Sequence, residues 1–195
     1  MRPKRQTVHR TGATPTPQLL LAELPEHLAD MAAFSLATGL RASNVTGLQW
    51  SQLDLARRLA WIHPDQAKAR RAIPVPLNAE AAALVNKQVG KHPTHVFSFR
   101  GRPIIQVNTK AWYAGLERAG ITDFRWHDLR HTWASWHVQN GTPLFALQEL
   151  GGWESAEMVR RYAHLAADHL APYADRLRSL RVEGEDSNGT FTAQA

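Results

Sequence analysis

The amino-acid sequence predicts a mainly α domain with one small antiparallel β-sheet early in the chain, an α+β arrangement. Three observations carry this. Apolar residues recur at helical spacing from Gln18 to Leu40. The pattern then changes, and Arg58–His63 and Ala72–Leu77 read as two short strands flanking a turn. After Asn108 it is helical almost to the end, with breaks near Gly120, Gly141-Thr142-Pro143, Gly151-Gly152 and Pro172.

Taken in order, residues 1–17 are rich in Pro, Thr and Arg without periodicity and read as a flexible leader or linker. Pro25 interrupts the first helical run and opens a second helix, since proline suits a first turn, and Gly39 stops that helix. Ser43–Leu48 reads as a short helix capped by Ser43. Pro74 and Pro76 place the second strand at a sheet edge. Val96–Phe99 is a third candidate strand, followed by the turn Arg100-Gly101-Arg102-Pro103. One domain over residues 18–181 is expected, with a disordered polar tail at 182–195. Within it, the apolar side of His169–Leu180 is expected to pack on its own domain.

Composition narrows the function. A chain of 195 residues can bury one substantial core but is short for two. With 23 Lys and Arg against 17 Asp and Glu, the net charge of +6 favours a polyanionic partner. Cysteine is absent, which excludes disulfides, thiolate nucleophiles and cysteine–zinc sites. No apolar run approaches the roughly 20 residues of a membrane span, and the basic start Met1-Arg2-Pro3-Lys4-Arg5 is not followed by a signal-peptide core. The reading is a cytoplasmic protein without membrane partners.

The side chains with chemistry come in an ordered set: Arg41, Lys68, His127, Arg130, Trp153 and Tyr162. Cleaving a phosphodiester by transesterification needs a nucleophile, charge stabilisation on the phosphoryl oxygens, and a proton for the leaving oxygen. Arginine forks donate parallel hydrogen bonds to phosphate and stay charged. Lysine can supply both a proton and a charge. A tyrosine hydroxyl, with a free pKa near ~10, needs cationic neighbours or a base to react at neutral pH. Either His127 or His131 could take its proton, and Trp153 can support a phosphate through its indole N–H and its packing. The set works without a metal or any other cofactor.

Taken singly, each residue also has an ordinary structural role. Tyr162 follows Met158 and Val159 at helical spacing and could pack in the core. Arg41 and Lys68 could be solvated surface charges, and Trp153 a core anchor. His127 and His131, four apart, could ligate zinc, but no glutamate adjoins the first histidine and no cysteine is present.

The joint occurrence of these motifs resembles the tyrosine recombinases, the phage integrase family. Thr38-Gly39-Leu40-Arg41 with Gly47-Leu48-Gln49-Trp50 is similar to the family's first arginine box. Lys68, followed by Arg71 and Val75-Pro76-Leu77, is similar to its β-hairpin lysine and strand. Trp126-His127-Asp128-Leu129-Arg130-His131-Thr132 resembles its His-x-x-Arg box. Leu150-Gly151-Gly152-Trp153 and Tyr162-Ala163-His164, with nine positions from Trp153 to Tyr162, resemble the final boxes. The resemblance covers about residues 18 to 175.

It implies a tyrosine-recombinase catalytic-domain fold and a site-specific DNA recombinase, or integrase, of a phage or mobile element. Arg41 and Arg130 would clamp the scissile phosphate, and Lys68 would protonate the leaving 5′ oxygen. His127 would assist acid–base exchange, Trp153 would support the phosphate, and Tyr162 would form a 3′-phosphotyrosine link. The partners would be double-stranded DNA and further protomers, assembled as a tetramer on it. A non-catalytic DNA-binding or interaction module, and a type IB topoisomerase-like relaxase, are the alternatives.

Two departures accompany the resemblance. Asn44 stands where many family members carry an acid, and is expected to orient neighbours by hydrogen bonding. Only 40 residues precede Arg41, too few for the family's N-terminal DNA-binding domain, so the chain is expected to be a fragment or a shortened relative. Arg57, Arg58, Arg70, Arg71, Lys110 and Arg125 lie near the boxes and are candidates for neutralising backbone phosphates. Each such contact adds roughly −0.9 to the salt slope of binding. Without the N-terminal domain, weak, salt-sensitive and poorly selective binding is expected.

Overall fold

Pro25 and Gly39 bracket the helix on which the domain is built. In a computed structural model of the chain, describing residues 17–63 and 72–165, α1 (Pro17–Glu23) precedes α2 (Glu26–Thr38). Pro25 is the N-cap of α2, one position before its first turn, and Gly39 closes it with φ +66°. Pro17 opens α1 rather than ending the leader. The short helix α3 (Ala42–Thr46) is capped by the extended backbone of Arg41, not by Ser43. The Ser43 hydroxyl points to Asn44 Oδ1 instead, at 3.4 Å.

A 3₁₀ turn at Trp50–Gln52 leads into β1 (Leu53–Asp54), β2 (Leu59–Ile62) and β3 (Ile73–Pro76), an antiparallel sheet in the order β1-β2-β3. Trp61 faces Pro74 and Leu59 faces Pro76 across the β2–β3 ladder. Pro74 and Pro76 share one parity, and the Leu77 N–H, of the other parity, reaches Arg58 O at 2.8 Å. The two missing N–H groups therefore lie on the outer side of β3, the edge strand that its prolines require.

Three elements exceed the expected pattern: β1, the short strand at Arg102–Pro103, and α4 (Ala79–Gln88), capped by Asn78, whose side chain accepts from Ala81 N at 2.8 Å. Helix α4 docks on α2 through buried Asp30, which accepts from Lys87 Nζ at 2.7 Å and Gln88 Nε2 at 2.8 Å. The third expected strand is shorter and separate: β4 (Ser98–Phe99) pairs with β5 (Arg102–Pro103) across Gly101, giving two small sheets rather than one.

The rest of the described chain is helical, as its periodicity demands: α5 (Lys110–Arg118), α6 (Trp126–Gln139), α7 (Leu144–Gly151) and α8 (Ala156–Arg160). Helix α6 joins two cores. Trp126 and Leu129 belong to the larger one, built from α1 to α5 and the sheet. Trp133, Ala134 and Val138 belong to a smaller one with Leu147, Trp153, Val159 and Tyr162. Arg130 lies on the same stripe, between the two. Among the described residues, no helix is long and apolar enough to cross a membrane.

Candidate active site

The apolar stripe of α6 runs Trp126, Leu129, Trp133, Ala134, Val138, with Arg130 inside it. A charge is expensive there unless its donors are satisfied. Arg130 is only 4% exposed, and two carbonyls receive it. Its Nη1 donates to Gly39 O and its Nη2 to Gly151 O, both at 2.5 Å. The guanidinium carbon lies 4.1 Å from the centre of the Trp153 ring, a cation–π contact. Desolvation, and then the charge of Arg41, lowers its pKa to about 10, while Tyr162 opposes the shift. Arg130 is therefore still a cation at neutral pH.

Glycine is needed at both carbonyl positions. A Cβ on Gly39 would lie 2.3 Å from the Trp133 ring, and one on Gly151 would lie 2.0 Å from the Trp153 ring. Gly152, with φ +59°, ends α7 and turns the chain so that Trp153 enters the small core, 8% exposed and stacked on Trp133 at 5.9 Å. A Cβ on Gly152 would meet Ile73 Cδ1 at 2.5 Å. The Leu150-Gly151-Gly152-Trp153 box thus fits between β3 and Arg130.

Tyr162 follows the end of α8 and is held by its own N–H to Val159 O at 3.0 Å. It is 5% exposed and belongs to the smaller core, so its packing role is borne out. Its hydroxyl meets His131 Nδ1 at 2.5 Å, and its ring lies 6.2 Å from that of Trp153. Burial raises the phenol pKa; the charges of Arg161 and Arg130 work against that rise.

His127, one turn before His131 on α6, is exposed and meets it edge-on with ring centres 5.0 Å apart. Desolvation of its ring, then the Arg130 charge, lowers its pKa; Asp128 opposes, and Arg125 and Arg41 add to the lowering. Arg41, half-buried at the α3 N-cap, thus acts on both Arg130 and His127. Asn44 beside it is buried, and the hydrogen bond seen on its side chain comes from Ser43. Among the described residues, no group of three or more His, Cys, Asp or Glu is arranged to hold a metal ion.

Of the expected set, the structure brings together Arg41, His127, Arg130, Trp153 and Tyr162. Lys68, Arg70 and Arg71 lie outside the described residues, as do His169–Leu180 and the tail. Arg57 and Arg58 are exposed, but they precede β2, whereas Ile73 at the opposite end of the β2–β3 ladder touches the site. Four residues of strand, roughly 13 Å, separate the two ends. Lys110 is exposed at the start of α5. Arg125, exposed at the α6 N-cap, forks onto Asp128 at 3.0 and 3.3 Å, so its charge is partly matched within the chain. His131 is the residue the ordered set left out, and its position one turn after His127 was the available signal.

Comparison with known proteins identifies the family. The model of the phage integrase family matches residues 17–169. The integrase of Salmonella phage P22 is 49% identical over 175 residues, covering 83% of this chain and 45% of that protein. Tyrosine recombinase XerD of Lacticaseibacillus casei is 37% identical over 164 residues, covering 75% and 54%. This chain thus spans about half the length of these curated relatives. Among solved structures, the catalytic domain of bacteriophage HP1 integrase superposes with a TM-score of 0.62 at 27% identity, covering 86% of this chain and 94% of that one. The Tn1549 transposon integrase, solved in complex with a circular intermediate DNA, gives a TM-score of 0.72 at 19% identity, covering 89% and 67%. With the family model matched over residues 17–169, the chain belongs to the phage integrase family, as a tyrosine recombinase catalytic domain.

Proposed function

We propose that this chain cuts and rejoins DNA strands at specific sites through a covalent 3′-phosphotyrosine link on Tyr162. The observation that carries the reading is the meeting of Arg41, Arg130, Trp153 and Tyr162, from four separate segments, around one seam between two cores. Arg41 and Arg130 supply fixed positive charge for the phosphoryl oxygens. Trp153 backs the Arg130 guanidinium, so its support of the phosphate is exerted through that side chain. Lys68 is the proton donor to the leaving 5′ oxygen; it precedes in sequence the strand whose first residue, Ile73, touches Gly152.

The step conserves the phosphodiester. Tyr162 Oη bonds to phosphorus as the bond to the 5′ oxygen breaks, and a 5′ hydroxyl of a partner strand later reverses this. Neither a metal nor ATP is required by that chemistry. Double-stranded DNA is the proposed partner, a reading supported by the circular intermediate DNA bound in the Tn1549 integrase complex, and four protomers on two duplexes would carry out the exchange. Arg57, Arg58, Arg70, Arg71, Lys110 and Arg125 are proposed as contributors to backbone neutralisation.

The test is covalent trapping in EDTA on nicked duplexes drawn from DNA flanking the gene, comparing the native chain with Tyr162→Phe. A denaturant-resistant protein–DNA adduct, lost in the variant, is expected. An adduct that persists in Tyr162→Phe would overturn the reading.

A further inference from the structure

A buried phenol needs a hydrogen-bond partner, and a buried hydroxyl that must also become a nucleophile needs one that can take a proton. Two histidines lie close enough in sequence to serve, and the structure separates them. His131 Nδ1 is 2.5 Å from the Tyr162 hydroxyl, whereas His127 is exposed and reaches this pair only through the edge of the His131 ring. Resting on the reading above, we propose that His131, and not His127, is the base that receives the Tyr162 proton during strand cleavage and returns it during rejoining.

The surroundings suit a neutral imidazole. Facing His131 are His127, Asp128 and Arg125 from α6 and its N-cap, and Arg161 and Tyr162 from the segment after α8. Desolvation, and then His127, holds the His131 pKa below the ordinary histidine value; Asp128 opposes, while Arg161 and Arg125 add to the lowering. A neutral ring that accepts at Nδ1 carries its proton on Nε2.

The proton balance is complete. As Tyr162 Oη forms its bond to phosphorus, the phenolic proton moves to His131 Nδ1 and gives an imidazolium. The bond from phosphorus to the 5′ oxygen breaks, and that oxygen takes its proton from the general acid, Lys68 in the reading above. In rejoining, the incoming 5′ hydroxyl gives its proton back to Lys68, left neutral by cleavage, and attacks phosphorus. The Oη–phosphorus bond then breaks, and the His131 imidazolium reprotonates Tyr162. Arg130 and Arg161 lower the cost of transient negative charge on Oη.

His131→Gln separates this role from simple packing, because a Gln oxygen can accept the hydrogen bond but not the proton. On nicked duplex, the native rate of adduct formation should show an acid limb from His131. In His131→Gln the rate should fall by about 100-fold or more, and the acid limb should disappear in favour of a rise towards the phenol pKa. Placing 3-fluorotyrosine, a more acidic phenol, at position 162 of that variant should move the rise to lower pH. His127→Gln should keep the acid limb. An unchanged acid limb in His131→Gln, or a profile indifferent to fluorination, would overturn the proposal.

A second measurement needs no DNA. In histidine ¹⁵N spectra of the whole chain, His131 should be the Nε2–H tautomer at neutral pH. It should titrate at higher pH in Tyr162→Phe, which removes the donor that favours the neutral ring. An Nδ1–H tautomer, or a titration unmoved by Tyr162→Phe, would contradict the proposal in the free chain. An adduct surviving in Tyr162→Phe would instead sink the nucleophile assignment, so the two failures are distinguishable.

Discussion

Arg130 rests its guanidinium on the face of Trp153, 4.1 Å from the ring centre, and spends two donors on carbonyls of Gly39 and Gly151. One side chain therefore ties the turn after α2, the C-terminal end of α7 and the small core to a single position. The charge that meets DNA in the proposed reaction is held by contacts that also hold the fold. Trp153→Ala should cost about 3–5 kcal/mol, the usual range for emptying a buried indole site. Urea unfolding measures it, and a loss under about 1 kcal/mol would mean that the small core closes without the indole.

Gly39 and Gly120 have nearly the same left-handed backbone, φ +66° and +67°, but different surroundings. A Cβ on Gly39 would lie 2.3 Å from the Trp133 ring, while nothing lies within 4 Å of one on Gly120. Gly120→Ala should cost about 1–2 kcal/mol from handedness alone. Gly39→Ala adds overpacking of about 1–3 kcal/mol against an indole that cannot easily move. Equal losses in denaturant titrations of the two variants would contradict the packing described around Gly39.

Stability should fall on mild acidification. His27, His127, His131 and His137 all titrate below the ordinary histidine value, with desolvation the first cause in each. The unfolded chain therefore binds these protons at higher pH than the folded one. Stability present above about pH 6.5 is lost as the pH falls below it. Asp128 acts in the same direction further down: burial raises its pKa, but the hydrogen bonds from Arg125 outweigh that and leave it lowered. The Tm should be lower at pH 5.5 than at pH 7.5, with a smaller drop in His131→Gln. An unchanged Tm between these pH values would contradict the partly desolvated, neutral state of these rings.

Much of this was legible in the sequence, because helix stops and edge strands are local. Gly39 ended α2 and the prolines of β3 marked an edge from their own chemistry. Helix α4 carried a readable signal in Asn78 followed by alanines, glutamate and a late lysine, whereas β1, two residues long, had none to offer. Ser43 looked like a cap, but Arg41 already had the extended backbone that the cap position needs. Arg130 could be matched to its box, yet its burial and its two carbonyl partners depend on segments 91 and 21 residues away. The choice between His127 and His131 was open for the same reason. Both lie on one face of α6, and only the position of Tyr162, 31 residues after His131, separates them.

The most direct test of the central claim is to locate the DNA on the protein. The chain has three tyrosines, and trypsin would release Tyr162 in the peptide from Tyr162 to Arg176, which also holds Tyr173. The adduct formed in EDTA should be trimmed with nuclease, digested, and fragmented by mass spectrometry to place the remaining nucleotide. The account predicts a 3′-linked nucleotide on Tyr162. A nucleotide on Tyr173 or Tyr113 would contradict it, whatever the fold.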